Sequence, residues 1–300
     1  MENNTVSEKE NQLITNEYRS LIRAVSERLN LKEKKNIRQA FNIAIKAHKN
    51  SRRESGKLYV SHPISVAKII ANDIGLGATS IICGLLHDVV EDTTITIDNI
   101  KKEFGKEVAL IIDGLTKISG VVESDVSLQA ESFRKMILTI SNDIRVVLIK
   151  IADRLDNMRT LEYLSQHKQE KIASETLYLY APLAHRLGLY SIKTELEDLS
   201  LKHTNSDAYF SISKKLKETK DNRSKYIKKF IRPIKEKLKI ENISSSIKGR
   251  PKSIFSIRKK MNEKEISFEE VFDKFAIRIT IDCPVEKEKE LCWKVYSIVT

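Results

Sequence analysis

The sequence predicts a mainly α-helical chain whose last third turns α/β. Glycine (9) and proline (5) are sparse among 300 residues, which favours long helices over a many-turned β architecture. Apolar residues recur at three- and four-residue steps through most of the first 200 positions. One segment, FDKFAIRITIDC, has instead the β-branched enrichment and two-residue period of a strand. Hydrophobic residues at 41% and charged residues at 31% describe a globular protein and exclude an intrinsically disordered one.

The elements follow in order. Residues 8–50 read as helices, with Ile37, Ala40, Phe41, Ala44 and Ile45 spaced to share one face. SRRESGK is a polar loop around Gly56. Pro63 suits the first turn of the helix PISVAKIIAND, which GLG ends. Ala78 to Val90 forms the next helix, and a Thr-rich turn leads to two short helices separated by Gly105. Residues 121–130 read as a loop and ESFRKMILTIS as a helix. NDIRVVLIKIADRLDNMRTLEYL continues as a mostly apolar helix. SETLYLYAPLAHRLGLYSIKTELEDLSLKH is a further long helical stretch with a weak point at Gly188. SKKLKETKDNRSKYIKKFIRPIKEKLK predicts a very basic helix broken near Pro233. IENISSSIKGRPKS alternates and turns, the strand follows, and LCWKVYSIVT starts another helix.

The net charge of +12 is uneven: residues 201–300 hold 25 Lys+Arg against 14 Asp+Glu, whereas the first 200 hold 28 against 27. Such asymmetry points either to a polyanion-binding region, with weak RNA or ribosome contact as one form of it, or to a solvated Lys-rich helix face. Few aromatics are interleaved with those cations and no RNA-binding motif stands among them. Cys83, Cys283 and Cys292 are widely spaced and form no CxxC pair, which argues against a disulfide framework and fits a reducing cytoplasm. The polar start MENNTVSEKENQ has no signal-peptide pattern, and no apolar run approaches the roughly 18 residues of a membrane span.

The chemistry concentrates in LLHDVVEDTT, Leu85–Thr94, where an apolar run delivers His87, Asp88, Glu91 and Asp92 in quick succession. On a helix Glu91 shares a side with His87 and Asp88. An imidazole nitrogen beside a carboxylate oxygen suits a divalent ion such as Mn²⁺, Zn²⁺ or Fe²⁺. Two ligands do not complete a site. His62 in YVSHP and Asp153 in LIKIADRLDNMR are the candidates for the rest, Asp153 because an acid closing an apolar run needs a partner. Taken alone, His62 reads as a cap or packed residue, and Asp153 as an ion-pair partner of Arg154 or Arg159. H…HD…D within a helical region shifts the balance to a metal.

That pattern resembles the HD superfamily of metal-dependent phosphohydrolases. RRESGKLYVSHP, LLHDVVEDTT and IADRLDNMRTL resemble the hydrolase domain of the Rel/SpoT family, the synthetase/hydrolases of the alarmone (p)ppGpp. IKGRPKSIFSIRKKM and FEEVFDKFAIRI resemble the start of that family's synthetase domain. The resemblance implies an N-terminal extension over 1–19 and an all-helical HD-type hydrolase domain over 20–200. Residues 201–300 would be a basic segment and an incomplete α/β nucleotidyltransferase-like synthetase domain. It implies one Mn²⁺ held by His62, His87, Asp88 and Asp153, with Glu91 and Asp92 as the catalytic pair acting on water. Arg53, Ser55, Tyr59, Asn157 and Thr160 would contact the guanosine nucleotide, ppGpp or pppGpp. In the synthetase part Arg250, Lys252, Ser256 and Lys260 would cradle ATP phosphates and Asp273 would bind Mg²⁺ in a complete site; these 300 residues are expected to show no synthetase activity. Three positions depart from the family pattern. Glu54 and Lys57 reverse a common Lys/Glu pair, which bears on tetra- against pentaphosphate preference, and Asp156 stands where His is commoner in RLHNMRT.

Overall fold

A computed structural model describes residues 8–49, 51–119 and 143–300. The loop expected over 121–130 and the helix expected at ESFRKMILTIS lie outside them. The chain divides into two compact units, Met1–Thr204 and Asn205–Thr300.

Apart from one isolated β-bridge between Arg52 and Leu58, the regular elements among the described residues of the first unit are all helices. Helices α1 (Glu8–Val25), α2 (Leu31–Ala47), α3 (Ser61–Ile69) and α4 (Ala78–Leu86) come first. A four-residue helix α5 (Val89–Asp92), then α6 (Ile97–Phe104) and α7 (Lys106–Ser119), precede α8 (Ile144–Arg159). The last three are α9 (Gln166–Glu175), α10 (Ala181–Arg186) and α11 (Tyr190–Thr204). Local chemistry sets several boundaries. Asn30 caps α2 with Glu33, Thr96 caps α6 with Asn99, and Asp143 accepts from the Arg145 amide at the start of α8. A π-helical turn, Ile70–Ile74, extends α3 and stops at Gly75, whose φ of 83° is left-handed.

Helix α4 is the axis of this unit. Its residues are buried except for Thr79, and it packs against α2, α3, α7 and α8. A Cβ at Gly84 would meet the end of the Ile70 side chain, which would have to shift to make room for it. The predicted helix over Ala78–Val90 is interrupted: α4 ends at Leu86, and His87–Asp88 form a turn before α5. At the N-terminus, α1 begins at Glu8 and buries Ile14 and Tyr18 in the core. Residues 8–19 thus pack as part of the first unit and not as an extension beside it.

The second unit pairs two strands, β1 (Ser245–Pro251) and β2 (Phe275–Ile281), antiparallel in the register Ser245 opposite Ile281 to Pro251 opposite Phe275. Around them stand α12 (Ser206–Glu218), α13 (Lys220–Ile240), α14 (Ile254–Lys264) and α15 (Glu288–Val299). β2 alternates as its sequence predicts, with Ile277, Ile279 and Ile281 packed towards a small core of Ile234, Leu238, Ile243 and Val295. The basic helix is not broken at Pro233. α13 runs through that residue, and the break falls at Thr219. A helix-interior proline costs about 3 kcal/mol. Contacts on both sides offset it: Tyr226 and Phe230 meet the ring of Phe275, and Ile234 and Leu238 are buried in the core. No helix among the described residues is long and apolar enough to cross a membrane.

Candidate active site

The turn that interrupts α4 and α5 places His87 and Asp88 at the end of the most buried helix of the first unit. α3 brings His62 and α8 brings Asp153 to the same place. One ligand atom from each of His62, His87 and Asp153 lies within 4.8 Å of the others. His62 Nε2 is 3.2 Å and His87 Nε2 is 3.8 Å from Asp153 Oδ1. Asp88, the fourth expected ligand, borders this trio: its Oδ1 is 3.1 Å from His87 Nε2 and its Oδ2 is 3.7 Å from His62 Nε2.

The imidazoles are oriented for a cation. His87 Nδ1 faces the Gly84 carbonyl at 2.9 Å, so it carries the proton and leaves a lone pair on Nε2. That Nε2 is buried and makes no hydrogen bond, despite the nearby Asp88 oxygen. A buried acceptor without a donor is costly unless something cationic takes its lone pair. His62 is held the same way, its Nδ1 lying 2.6 Å from Asp156 Oδ2. Burial alone would lower the His62 pKa, but the carboxylates of Asp153 and Asp156 outweigh it and lift the group to about 9. Burial alone would raise Asp153; Lys150, His62 and His87 outweigh it and hold its carboxyl well below the usual range. Two imidazoles and a carboxylate so arranged fit a divalent ion.

The pairing of Asp153 with Arg154 or Arg159 does not occur. Arg154 bonds Glu175 and Arg159 bonds Glu195, while Asp153 accepts from Asn157 Nδ2 at 2.7 Å and pairs with Lys150 at 3.1 Å. Glu91 and Asp92 are exposed on α5. Tyr59 donates to Asp88 Oδ2 at 2.8 Å, and burial followed by Asp88 and Asp92 raises its pKa.

Beside the trio opens a cavity of about 720 Å³. All five expected substrate residues, Arg53, Ser55, Tyr59, Asn157 and Thr160, line it together with Asp153. Arg53 donates to Asp156 at 3.0 Å and also to the Asn157 side-chain oxygen, and the loop that carries it is closed by Gly56 at φ 78°. Ser55 Oγ is buried without a hydrogen bond. Glu54 lines the cavity and Lys57 is exposed.

Several residues here were not singled out from the sequence. Lys150 and Arg154 add half-buried cations to the cavity wall. Lys150 had a visible signal, a lone cation splitting the apolar VVLIKIA. His48, buried and stacked on Tyr59 with centroids 4.6 Å apart, had none.

In the second unit Lys252 and Lys260 both bond Asp273, whose pKa they lower to about 2. Ser256 sits in the first turn of α14, where its amide donates to Ser253 Oγ at 3.1 Å. Arg250 is exposed on β1, opposite Ala276.

The HD domain family profile matches residues 40–190, the stretch that contains every residue of the trio and the cavity described above. The chain belongs to the HD domain family. Members of that family hold a divalent metal, consistent with the His–His–Asp trio. Similarity to named relatives extends further along this HD protein. It is 43% identical over 247 residues to a GTP pyrophosphokinase of Myxococcus xanthus, covering 81% of this chain and 32% of the relative. It is 41% identical over 265 residues to a probable guanosine-3′,5′-bis(diphosphate) 3′-pyrophosphohydrolase of Synechocystis (88% and 34%). It is 40% identical over 262 residues to the bifunctional (p)ppGpp synthase/hydrolase SpoT of Escherichia coli (87% and 36%). The chain thus spans about a third of the length of these relatives. Their names divide between synthesis and hydrolysis, so the choice for this chain rests on its own site.

Proposed function

We propose that the first unit hydrolyses the 3′-pyrophosphate of guanosine 3′,5′-bis(diphosphate) or its pentaphosphate, giving GDP or GTP and pyrophosphate in alarmone turnover, with Mn²⁺ as its ion. One observation carries this reading: the buried His87 Nε2 without a hydrogen bond lies beside His62 and Asp153, and Asp153 lines the cavity that holds Arg53, Ser55, Asn157 and Thr160. The names of the Synechocystis and Escherichia coli relatives support it.

On this reading His62, His87, Asp88 and Asp153 hold the ion. When bound, it lowers the pKa of water and neutralises charge on phosphate oxygens. The chain's own groups do the rest. Glu91 or Asp92 takes a proton from the attacking water, a contribution of about 10²–10⁴-fold. The water oxygen bonds to the phosphorus attached to the ribose 3′ oxygen. That P–O bond breaks, pyrophosphate leaves, and the 3′ oxygen takes up a proton. Arg53 and the half-buried Lys150 and Arg154 set positive charge around the phosphates, while Asn157 and Thr160 hold base and ribose.

We expect no pyrophosphate transfer from the second unit by itself; in it Asp273 is bonded to Lys252 and Lys260. Incubation of the chain with ATP and GDP is expected to yield no ppGpp. A polyanion-binding role gains no support there either: Lys215 pairs with Glu269, Lys294 with Glu241, and Lys252 and Lys260 with Asp273.

The test is incubation with ppGpp and Mn²⁺, with products resolved by anion exchange. GDP and pyrophosphate, lost on chelation with EDTA and in Asp88→Ala, are the expected outcome. Release of inorganic phosphate alone, or turnover that survives EDTA, would contradict the assignment.

A further inference from the structure

We infer that Asp156 is a positioning residue that sets the metal ligand His62 and the substrate arginine Arg53 at once, an inference that rests on the site reading above. Its Oδ2 accepts from His62 Nδ1 at 2.6 Å and from Arg53 Nη1 at 3.0 Å. Asp156 is 7% exposed and His62 3%, so solvent competes little for either contact.

Each bond has a consequence. With one proton held on Nδ1 by Asp156, the His62 nitrogen that faces Asp153 Oδ1 and His87 is Nε2, the one an ion would take in exchange for its proton. An imidazole hydrogen-bonded to a carboxylate is also a more basic ligand. On the other side, the charge-assisted bond fixes the Arg53 guanidinium, whose second arm reaches the Asn157 oxygen. Asn157 in turn donates to Asp153. A single carboxylate oxygen therefore ties the RESG loop to the metal ligands. Asp156 does not line the cavity; it acts through His62 and Arg53.

Mn²⁺ affinity measured by titration calorimetry, together with KM and kcat for ppGpp, tests this on the full chain. Asp156→Ala is expected to weaken Mn²⁺ binding by about 10–100-fold. It is also expected to raise KM about tenfold through loss of one charge-assisted anchor. Asp156→Asn, which keeps an acceptor oxygen, falls between. Arg53→Ala raises KM and leaves the Mn²⁺ affinity unchanged. Circular dichroism confirms that each variant keeps its helix content. A second measurement needs no substitution: in the Zn²⁺-loaded wild type, long-range ¹H–¹⁵N spectra place the His62 proton on Nδ1. A folded Asp156→Ala protein with wild-type Mn²⁺ affinity or wild-type KM would overturn the dual role, and so would a His62 proton on Nε2. Absence of Mn²⁺ binding by the wild type would instead overturn the metal-site reading, and this inference with it.

Discussion

Two clusters of acid and base residues, one in each unit, show opposite solutions to the same electrostatic problem. In the first unit, His62, His87 and Asp153 are buried, and His87 Nε2 has no hydrogen-bond partner. In the second, Asp273 is half exposed and bonded to two lysines. The first cluster draws two imidazoles and Asp153 together and leaves His87 Nε2 without a hydrogen bond, even though Lys150 pairs with Asp153. The second is already neutralised by its own side chains. Acidic residues near basic ones are common on protein surfaces and contribute little to stability there. A buried acceptor left without a donor, as His87 Nε2 is, is costly unless a ligand takes its lone pair. The first unit therefore reads as a binding centre, and the Lys252–Asp273–Lys260 group as a local ion pair in these 300 residues.

Substitutions can break or sharpen that contrast. The largest effect is expected from His87→Ala, which removes the inward lone pair. kcat/KM for ppGpp should fall about 10³-fold or more, as expected for several kcal/mol of lost stabilisation. Gly84→Ala comes next, because the new Cβ meets Ile70 where the π-helical turn after α3 crosses α4. Overpacking of this kind costs about 1–3 kcal/mol, read as a lower urea midpoint with turnover retained while the chain is folded. Tyr59→Phe deletes the hydroxyl that donates to Asp88 and should lower kcat/KM about tenfold. The smallest effect belongs to Asp273→Ala: hydrolysis of ppGpp should be unchanged, since that ion pair lies in the other unit. A large loss of hydrolysis in Asp273→Ala would break the contrast.

What the sequence made legible was local. The apolar run ATSIICGLL announced the buried helix α4, and the acids straight after it announced a site. FAIRITI showed its strand through β-branching and alternation. H…HD…D contains the His62, His87 and Asp153 that lie close together, and the ESG and NMRT stretches contain residues of the cavity that Asp153 also lines. What stayed hidden depends on distant partners. Asp156 showed only as a departure from a motif, because His62, 94 residues earlier, gives it its role. Pro233 signalled a break by its local chemistry, and aromatic contacts to Phe275 together with burial of Ile234 and Leu238 overrode it. Asp153 had two arginines within helical reach, yet each is taken by a glutamate from elsewhere in the fold. The turn at His87–Asp88 was likewise invisible in a segment whose spacing fits one continuous helix.

The most direct test of the central claim is a calorimetric titration of Mn²⁺ into the metal-free chain, its His87→Ala variant and its Asp273→Ala variant. The account predicts one site per chain, absent in His87→Ala and unchanged in Asp273→Ala. Binding that survives His87→Ala, or that disappears in Asp273→Ala, would contradict the assignment of the metal centre to the first unit.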